Sequence, residues 1–190
     1  MNDYKARFIA AHKRTLDLGL NPGERTLPFK KQISEKKMVR IYQFCLDFLY
    51  SQGFDCSENL ANNCIPVNMM LTKLLKSEIA VSSVVTVGDK FWSDYVYCRM
   101  SYREIENELN CPDVDSPLKA HTWLTLSDGS VVDFTGEAHM DVLQGRGNFP
   151  AEKCVAVVRP EDNPKDGYYR PFLVGEEFFE KVGAFQLVYA

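Results

Sequence analysis

The chain has 190 residues, with 22 lysines and arginines against 26 aspartates and glutamates, and a net charge of −4. This length fits one globular domain with its own hydrophobic core, and the acidic balance argues against nucleic acid or an anionic membrane surface as the partner. No segment reaches the roughly 18 apolar residues of a membrane span. The apolar run before His12 is too short for a secretory signal, and the six cysteines lack a CxxC pair. We therefore expect reduced thiols and a cytoplasmic location.

The first segment of the chain differs from the rest in its pattern. Residues 1–33 carry mixed charge and a weak helical pattern at Phe8, Ile9 and Leu16, followed by an Asn-Pro-Gly turn. We expect an N-terminal arm over 1–33 that wraps the domain or recognises a partner. Residues 34–190 are expected to form a single domain.

Two amphipathic helices open that domain. The first is predicted over 34–52, with Ser34 as its N-cap and a buried face at helical spacing formed by Met38, Ile41, Cys45, Phe48 and Leu49. The second begins at Cys64, because Asn62 and Asn63 favour helix caps and Pro66 suits a first turn. Its buried face is predicted to contain Val67, Met70, Leu71, Leu74 and Leu75. Cys64 therefore lies at the N-terminal end of that face.

After residue 77 the periodicity changes to that of strands. Strands are predicted over 81–87 and 91–100 around a Gly88-Asp89 turn, followed by a helix from a capping box at Ser101–Glu104 to about residue 109. A loop (111–117), a hairpin (119–135), a glycine-rich connector (136–150), a strand (154–158), a loop (160–171), a helix near 176–182 and a strand near 184–189 complete the chain. This order predicts an α+β fold with N-terminal helices packed on an antiparallel β-sheet.

The loop of the hairpin decides which side chains share a face. With a two-residue loop, Asp128-Gly129, Asp133 would lie opposite Leu124 and on the other face from His121. With a three-residue loop that includes Ser127, Asp133 lies opposite Trp123 and one diagonal step from His121. Glycine in the third loop position tolerates the positive φ of a bulged turn, so we predict the three-residue form.

Cys64, His121 and Asp133 are the candidate catalytic residues. A helix N-terminus and a nearby imidazolium both stabilise a thiolate nucleophile. His121 would transfer protons and Asp133 would fix its tautomer. The main-chain amide of Cys64, with Asn62 or Asn63, is a candidate donor to a developing oxyanion.

Each of these three residues also has a structural interpretation. A cysteine on an apolar helix face commonly packs in the core, a histidine on a strand is commonly structural, and an aspartate often caps a turn. A zinc site formed by the three is disfavoured because no fourth ligand stands at a recognisable spacing. His139 is an alternative base, although we expect an exposed loop residue there.

A resemblance to a known family appears at the same residues. Asn63-Cys64-Ile-Pro-Val-Asn-Met-Met-Leu-Thr-Lys-Leu-Leu-Lys76, with the strand that ends at Val87-Gly88, resembles the nucleophile helix and following strand of the transglutaminase-like family. The segment from His121-Thr-Trp123 to Asp133-Phe-Thr135 is similar to that family's hairpin, in which histidine–x–tryptophan precedes aspartate–x–threonine. The resemblance covers about residues 60–135; Ile65-Pro66 and the long segment 89–119 depart from it.

The resemblance implies a papain-like fold and a Cys–His–Asp triad at Cys64, His121 and Asp133, with Asn62, Asn63 and Trp123 as oxyanion- and substrate-binding positions. The predicted function is a cysteine-dependent acyl-transfer enzyme (amidase, peptidase or transamidase) that acts on an amide of a protein or peptide without a cofactor or metal. Two alternatives stay open, a non-catalytic protein-binding module on the same fold and an N-acyltransferase that uses a thioester donor. The sequence has no EF-hand loop, which disfavours a calcium-switched cross-linker.

Overall fold

The computed structural model describes residues 4–23, 29, 31–92, 95–113, 115–162 and 168–184. Within these residues the chain forms the helices α1 (Tyr4–Asp17), α2 (Glu35–Ser51), α3 (Ser57–Leu60), α4 (Cys64–Ile79), α5 (Tyr102–Asn110), α6 (Gly136–Leu143) and α7 (Glu177–Lys181). Its strands are β1 (Ser83–Trp92), β2 (Tyr95–Tyr97), β3 (His121–Leu126), β4 (Val131–Asp133), β5 (Ala156–Val158) and β6 (Tyr168–Val174), and a 3₁₀ turn spans Ala151–Lys153. The protein is α+β with antiparallel strand pairing, as the sequence predicts.

The chain divides into two compact units. Unit one contains Met1–Leu27, Val84–Thr122 and Glu161–Ala190, and unit two contains Pro28–Ser83 and Trp123–Pro160. Residues 34–190, expected as a single domain, contribute to both units. The first two residues of β3, including His121, are grouped with unit one and the rest of that strand with unit two.

In unit one, α1 packs along β6, which pairs with β1. The buried face of α1 consists of Phe8, Ala11 and Thr15, whereas Ile9 and Leu16 of the predicted pattern are exposed. The Thr15 hydroxyl donates to the Ala11 carbonyl at 2.9 Å and accepts the Val174 amide at 2.9 Å, which joins the helix to the strand. A threonine within a helix thus satisfies a buried main-chain group of β6.

The turn predicted at Gly88-Asp89 is wrong, because β1 runs through it. The pairing of β1 with β6 shifts between Val87 and Gly88, so a bulge takes the place of the turn. Asp89 is fully buried, and its carboxylate accepts hydrogen bonds from Arg170 at 2.9 and 2.5 Å and from the Met100 amide at 3.4 Å. A partner 81 residues away in β6, within the predicted loop 160–171, outweighs the local turn preference of Gly-Asp.

In unit two, both long helices begin where the sequence predicts. Ser34 caps α2 by accepting the Lys37 amide at 3.3 Å, and α4 begins at Cys64. The two helices pack against each other, and β3, β4 and β5 pair antiparallel in succession. The connector predicted at 136–150 instead contains α6, which packs on α3 and buries Ala138 and Met140.

The remaining sequence predictions concern the helices α5 and α7 and the last strand. The predicted N-cap is confirmed at Ser101, whose hydroxyl accepts the Glu104 amide at 3.4 Å and donates to the Glu104 carboxylate at 2.6 Å at the start of α5. The helix predicted near 176–182 is α7. The last predicted strand lies, except for Ala184, outside the described residues. Among the residues described, none of the helices is long and apolar enough to cross a bilayer.

Candidate active site

Cys64 is the first residue of α4 and is 8% exposed. The chain reverses direction just before it, because Asn62 has a left-handed backbone (φ 64°) and Asn63 occupies the N-cap position. Asn63 occupies the N-cap as predicted, but its side chain makes no capping hydrogen bond: its amide group donates to the carbonyls of Asn59 at 2.9 Å and Ala61 at 3.2 Å. Both hydrogens of this NH₂ group are therefore engaged in the preceding turn.

Asn68 is a residue at this site that the sequence prediction missed. It is fully buried, and its side-chain amide donates to the main-chain carbonyl of Cys64 at 2.8 Å. This bond fixes the first turn of α4 from within the core and so holds the backbone that carries the thiol. A recognisable indication was present in the sequence: a polar residue four positions after Cys64, on a helix face that is otherwise apolar.

The β3–β4 hairpin has the predicted three-residue loop. Leu124 pairs with Val132 and Thr125 with Val131, and the Leu126 amide donates to the Ser130 carbonyl at 2.8 Å. Continued by one residue, this register places Asp133 opposite Trp123. The loop closes at Gly129, whose φ of +90° disfavours residues with a Cβ.

A second aspartate holds the hairpin loop in place. One carboxylate oxygen of Asp128 accepts the Ser130 amide at 3.0 Å and the other accepts the Ile33 amide at 2.9 Å. Arg159 lies 3.4 Å from the same carboxylate and donates to the Ile33 carbonyl at 2.9 Å. These bonds tie the loop to the segment before α2, and so they stabilise the register that positions Asp133.

Asp133 is 1% exposed and has one strongly anchored oxygen. Its Oδ1 accepts the Thr135 amide at 3.0 Å, the Thr135 hydroxyl at 3.2 Å and the Gly136 amide at 3.0 Å. Gly136 begins α6, so the carboxylate also lies at the positive end of a helix dipole. These contacts favour the ionised form and fix the plane of the carboxyl group.

His121 opens β3 and is fully buried. In unit one its ring lies against Tyr97, with 5.0 Å between ring centroids and 52° between planes. Tyr97 in turn contacts Trp92 at 5.4 Å, and the Lys90 ammonium lies 4.1 Å from the centre of the Trp92 ring. The aromatic side chains of β1 and β2 thus form one wall beside the imidazole.

The three candidate residues are distributed over both units. Cys64 and Asp133 belong to unit two, and His121 belongs to unit one. Trp123 is fully buried, and it precedes Leu124, the residue that pairs with Val132 in the hairpin. The expectation that His139 is an exposed loop residue is wrong, because it lies half-buried within α6.

A buried polar cluster on α3 and α6 contains a second cysteine near a carboxylate. The Ser57 hydroxyl donates to Asp141 at 2.8 Å and lies 3.3 Å from the Cys154 sulfur, while Arg146 pairs with Asp141 at 2.8 Å. Burial, reinforced by the charge of Asp141 and partly offset by the Ser57 hydrogen bond, raises the pKa of Cys154. The shift favours the neutral thiol, and the hydrogen bond from Ser57 to Asp141 joins α3 to α6.

Comparisons with known proteins give little additional information. No family model and no curated protein matches the chain. A crystal structure described as genomics APC5867 is similar at 16% identity, covering 82% of this chain and 75% of that chain with a TM-score of 0.37. A similarity of this size carries no argument about the fold or the function. Within the described residues, no group of three or more histidine, cysteine, aspartate or glutamate side chains is arranged to hold a metal ion.

Proposed function

We propose that the protein is a cysteine-dependent acyl-transfer enzyme (amidase, peptidase or transamidase) that acts on an amide of a protein or peptide. The observation that carries the proposal is the register of the β3–β4 hairpin. Leu124 pairs with Val132; continued by one residue, this register places Asp133 opposite Trp123, and strand alternation gives Trp123 and His121 the same face. A slip of one residue would send the carboxylate to the other face, so this register is the one that the chemistry requires.

In the proposed mechanism, the Cys64 thiolate attacks the amide carbonyl and the carbonyl π electrons move onto oxygen. The imidazolium of His121 then gives its proton to the departing amine as the C–N bond breaks, which leaves an acyl thioester on Cys64. Neutral His121 next removes a proton from water or from an acceptor amine, whose attack on the thioester releases the product and the thiolate. Asp133 keeps the imidazole in the required tautomer throughout.

Main-chain amides are the proposed oxyanion donors. The NH₂ group of Asn63 already donates to two carbonyls. The main-chain amide of Cys64 is therefore proposed as the principal hydrogen-bond donor to the oxyanion, with Asn62 as a second donor. Trp123 is proposed to line the substrate site from the hairpin. The order of helix, strand and neighbouring strand that carries the three residues supports a papain-like, transglutaminase-like fold. We further propose a cytoplasmic location, with a protein or peptide as substrate.

The proposal is tested with p-nitrophenyl acetate as the acyl donor. We expect a burst of p-nitrophenol and an acetyl group on Cys64, detected by mass spectrometry of the intact peptide that contains it. Cys64→Ala is expected to lose both, whereas the matched control Cys111→Ala, an exposed cysteine, keeps both. Full turnover in Cys64→Ala would remove the proposal.

A second set of reactions separates the acyl-transfer classes. A glutamine-containing peptide incubated with hydroxylamine yields a hydroxamate if the enzyme transfers acyl groups from amides. Acetylation of Cys64 by acetyl-CoA, without hydroxamate from the peptide, would instead favour a thioester-dependent N-acyltransferase. A wild-type protein inert to all three donors would favour the non-catalytic binding module.

A further inference from the structure

A basic cavity in unit two has a lining that contains none of the residues of the proposed triad. Its volume is about 370 Å³, and its lining comes from the first turns of α2 and from the end of α4 with the residues that follow. Three cations line it, Lys36, Lys37 and Arg40. The apolar part of the lining is Ile41, Ile79 and Val81. No acidic side chain is among the lining residues that the structure describes.

The three cations of this cavity are not neutralised by the protein. Within the described part of the chain, the side chains of Lys36, Lys37 and Arg40 form no ion pair or hydrogen bond. Glu35, the adjacent carboxylate, is paired with Arg159 at 2.5 Å. Three exposed positive charges therefore stand together around an apolar floor, in a chain whose net charge is −4.

This arrangement opposes local helix energetics. Lys36 and Lys37 lie in the first turn of α2, where the helix dipole disfavours cations, and Lys36 and Arg40 form a like-charge pair at i,i+4. The C-terminus of α4 contributes about half a negative charge beside the cavity, which the N-terminus of α2 cancels with about half a positive one. The three full charges remain, and such local conflicts are expected where a surface has a binding role.

We propose that this cavity binds an acidic peptide segment of a partner protein, in which carboxylates flank a single large aliphatic side chain. Charge complementarity favours the carboxylates, and the apolar floor favours the aliphatic side chain. A phosphate ion has no apolar group that would contact this floor. The binding site is independent of the catalytic proposal, because none of its residues takes part in the triad. It would recruit a partner or substrate whose acidic segment the acidic remainder of the protein repels.

The test measures fluorescence polarisation of a fluorescein-labelled decapeptide with acidic residues on both sides of one leucine. All protein samples carry Cys64→Ala, so that binding is measured without turnover and failure here leaves the catalytic proposal untouched. The test variant is Lys36→Glu with Lys37→Glu. The matched control is Lys13→Glu with Lys73→Glu, which changes the net charge equally at exposed positions elsewhere.

We expect saturable binding to the parent protein and at least about tenfold weaker binding to the test variant, because two attractive exposed pairs become repulsive. The control is expected to bind within about twofold of the parent. A peptide with serine in place of leucine is expected to bind at least about fivefold more weakly. The test variant is expected to melt no lower than the parent, since acidic residues suit a helix N-terminus, so lost binding cannot be ascribed to unfolding.

Three outcomes would overturn the inference. One is a dissociation constant weaker than about 1 mM for the parent protein. Another is unchanged binding in the test variant. The third is displacement of the peptide by inorganic phosphate at equal total charge together with equal affinity for the serine peptide, which would identify a simple anion site instead.

Discussion

Lowering the pH from 8 to 6 is expected to separate Cys64 from the ordinary thiol of an unstructured reference peptide. If an imidazolium at His121 holds Cys64 as a thiolate, the rate at which iodoacetamide labels Cys64 changes little over this interval. The rate at the single cysteine of an unstructured reference peptide falls with its thiolate population. The comparison therefore reports on the ion pair that the proposed mechanism requires.

The expected size of the effect follows from ordinary thiol ionisation. A cysteine with a pKa near 8.5 loses roughly 75-fold of its thiolate between pH 8 and pH 6. The ratio of the Cys64 rate to the rate of the reference peptide is thus expected to rise by roughly the same factor. The low exposure of Cys64, 8%, slows its labelling at both pH values alike, so it does not affect this change.

The assay quantifies labelling of each cysteine peptide by mass spectrometry at short times. Burial raises the pKa of Cys45 to about 12, so Cys45 remains unlabelled while the protein is folded and serves as an internal check. His121→Asn removes the imidazolium and is expected to make the ratio independent of pH, whereas His139→Asn, on α6, leaves the wild-type behaviour. A wild-type Cys64 rate that falls in parallel with that of the reference peptide would refute the reasoning.

Three further predictions concern stability measured by urea unfolding. Asp133→Ala removes the acceptor of three hydrogen bonds and is expected to lower the free energy of unfolding by about 3 kcal/mol, whereas Asp133→Asn, which keeps Oδ1, lowers it by about 1 kcal/mol. Equal costs would contradict the anchoring of Oδ1. Arg170→Met leaves the buried Asp89 carboxylate with the Met100 amide as a remaining donor, so it is expected to cost about 2–3 kcal/mol of the free energy of unfolding, and less when Asp89→Ala is added. A double variant that loses the sum of both single effects would show that the pair is not coupled. Gly129→Ala combines a φ of +90° with a Cβ that would meet the Phe29 ring, and it is expected to cost about 3 kcal/mol of the free energy of unfolding. Gly53→Ala, where φ is +80° and the space is open, is expected to cost about 1 kcal/mol; similar losses would mean that the Phe29 ring moves aside.

The features of the site that the sequence predicts are those set by local chemistry. A glycine in the third loop position selects the bulged hairpin, and the hairpin register follows from loop length alone. The start of α4 at Cys64 follows from two asparagines and a proline within four positions. Each of these depends on residues close in sequence, and so periodicity and turn preferences are sufficient to find them.

The features that the sequence did not predict depend on distant partners. Asp89 stays within a strand because Arg170, 81 residues later, neutralises it. The buried face of α1 is defined by β6, through a contact between residues 159 positions apart. Asp141 lies in a helix where a glycine-rich connector was expected, and it is held by Ser57, 84 positions earlier. Pairings between residues so far apart in the sequence cannot be inferred from its composition or from residue spacing.

The alternation of the chain between the two units has a consequence for its synthesis. Unit one is assembled from three separate stretches, and β6, the strand on which α1 packs, comes in the last of them. At about 5–20 residues per second, a ribosome needs roughly 8–30 s to proceed from the end of α1 to the start of β6. Throughout that interval Phe8 and Ala11 have no strand to cover them. The nascent polypeptide is therefore expected to engage chaperones early, and to complete its N-terminal packing only after β6 has been translated.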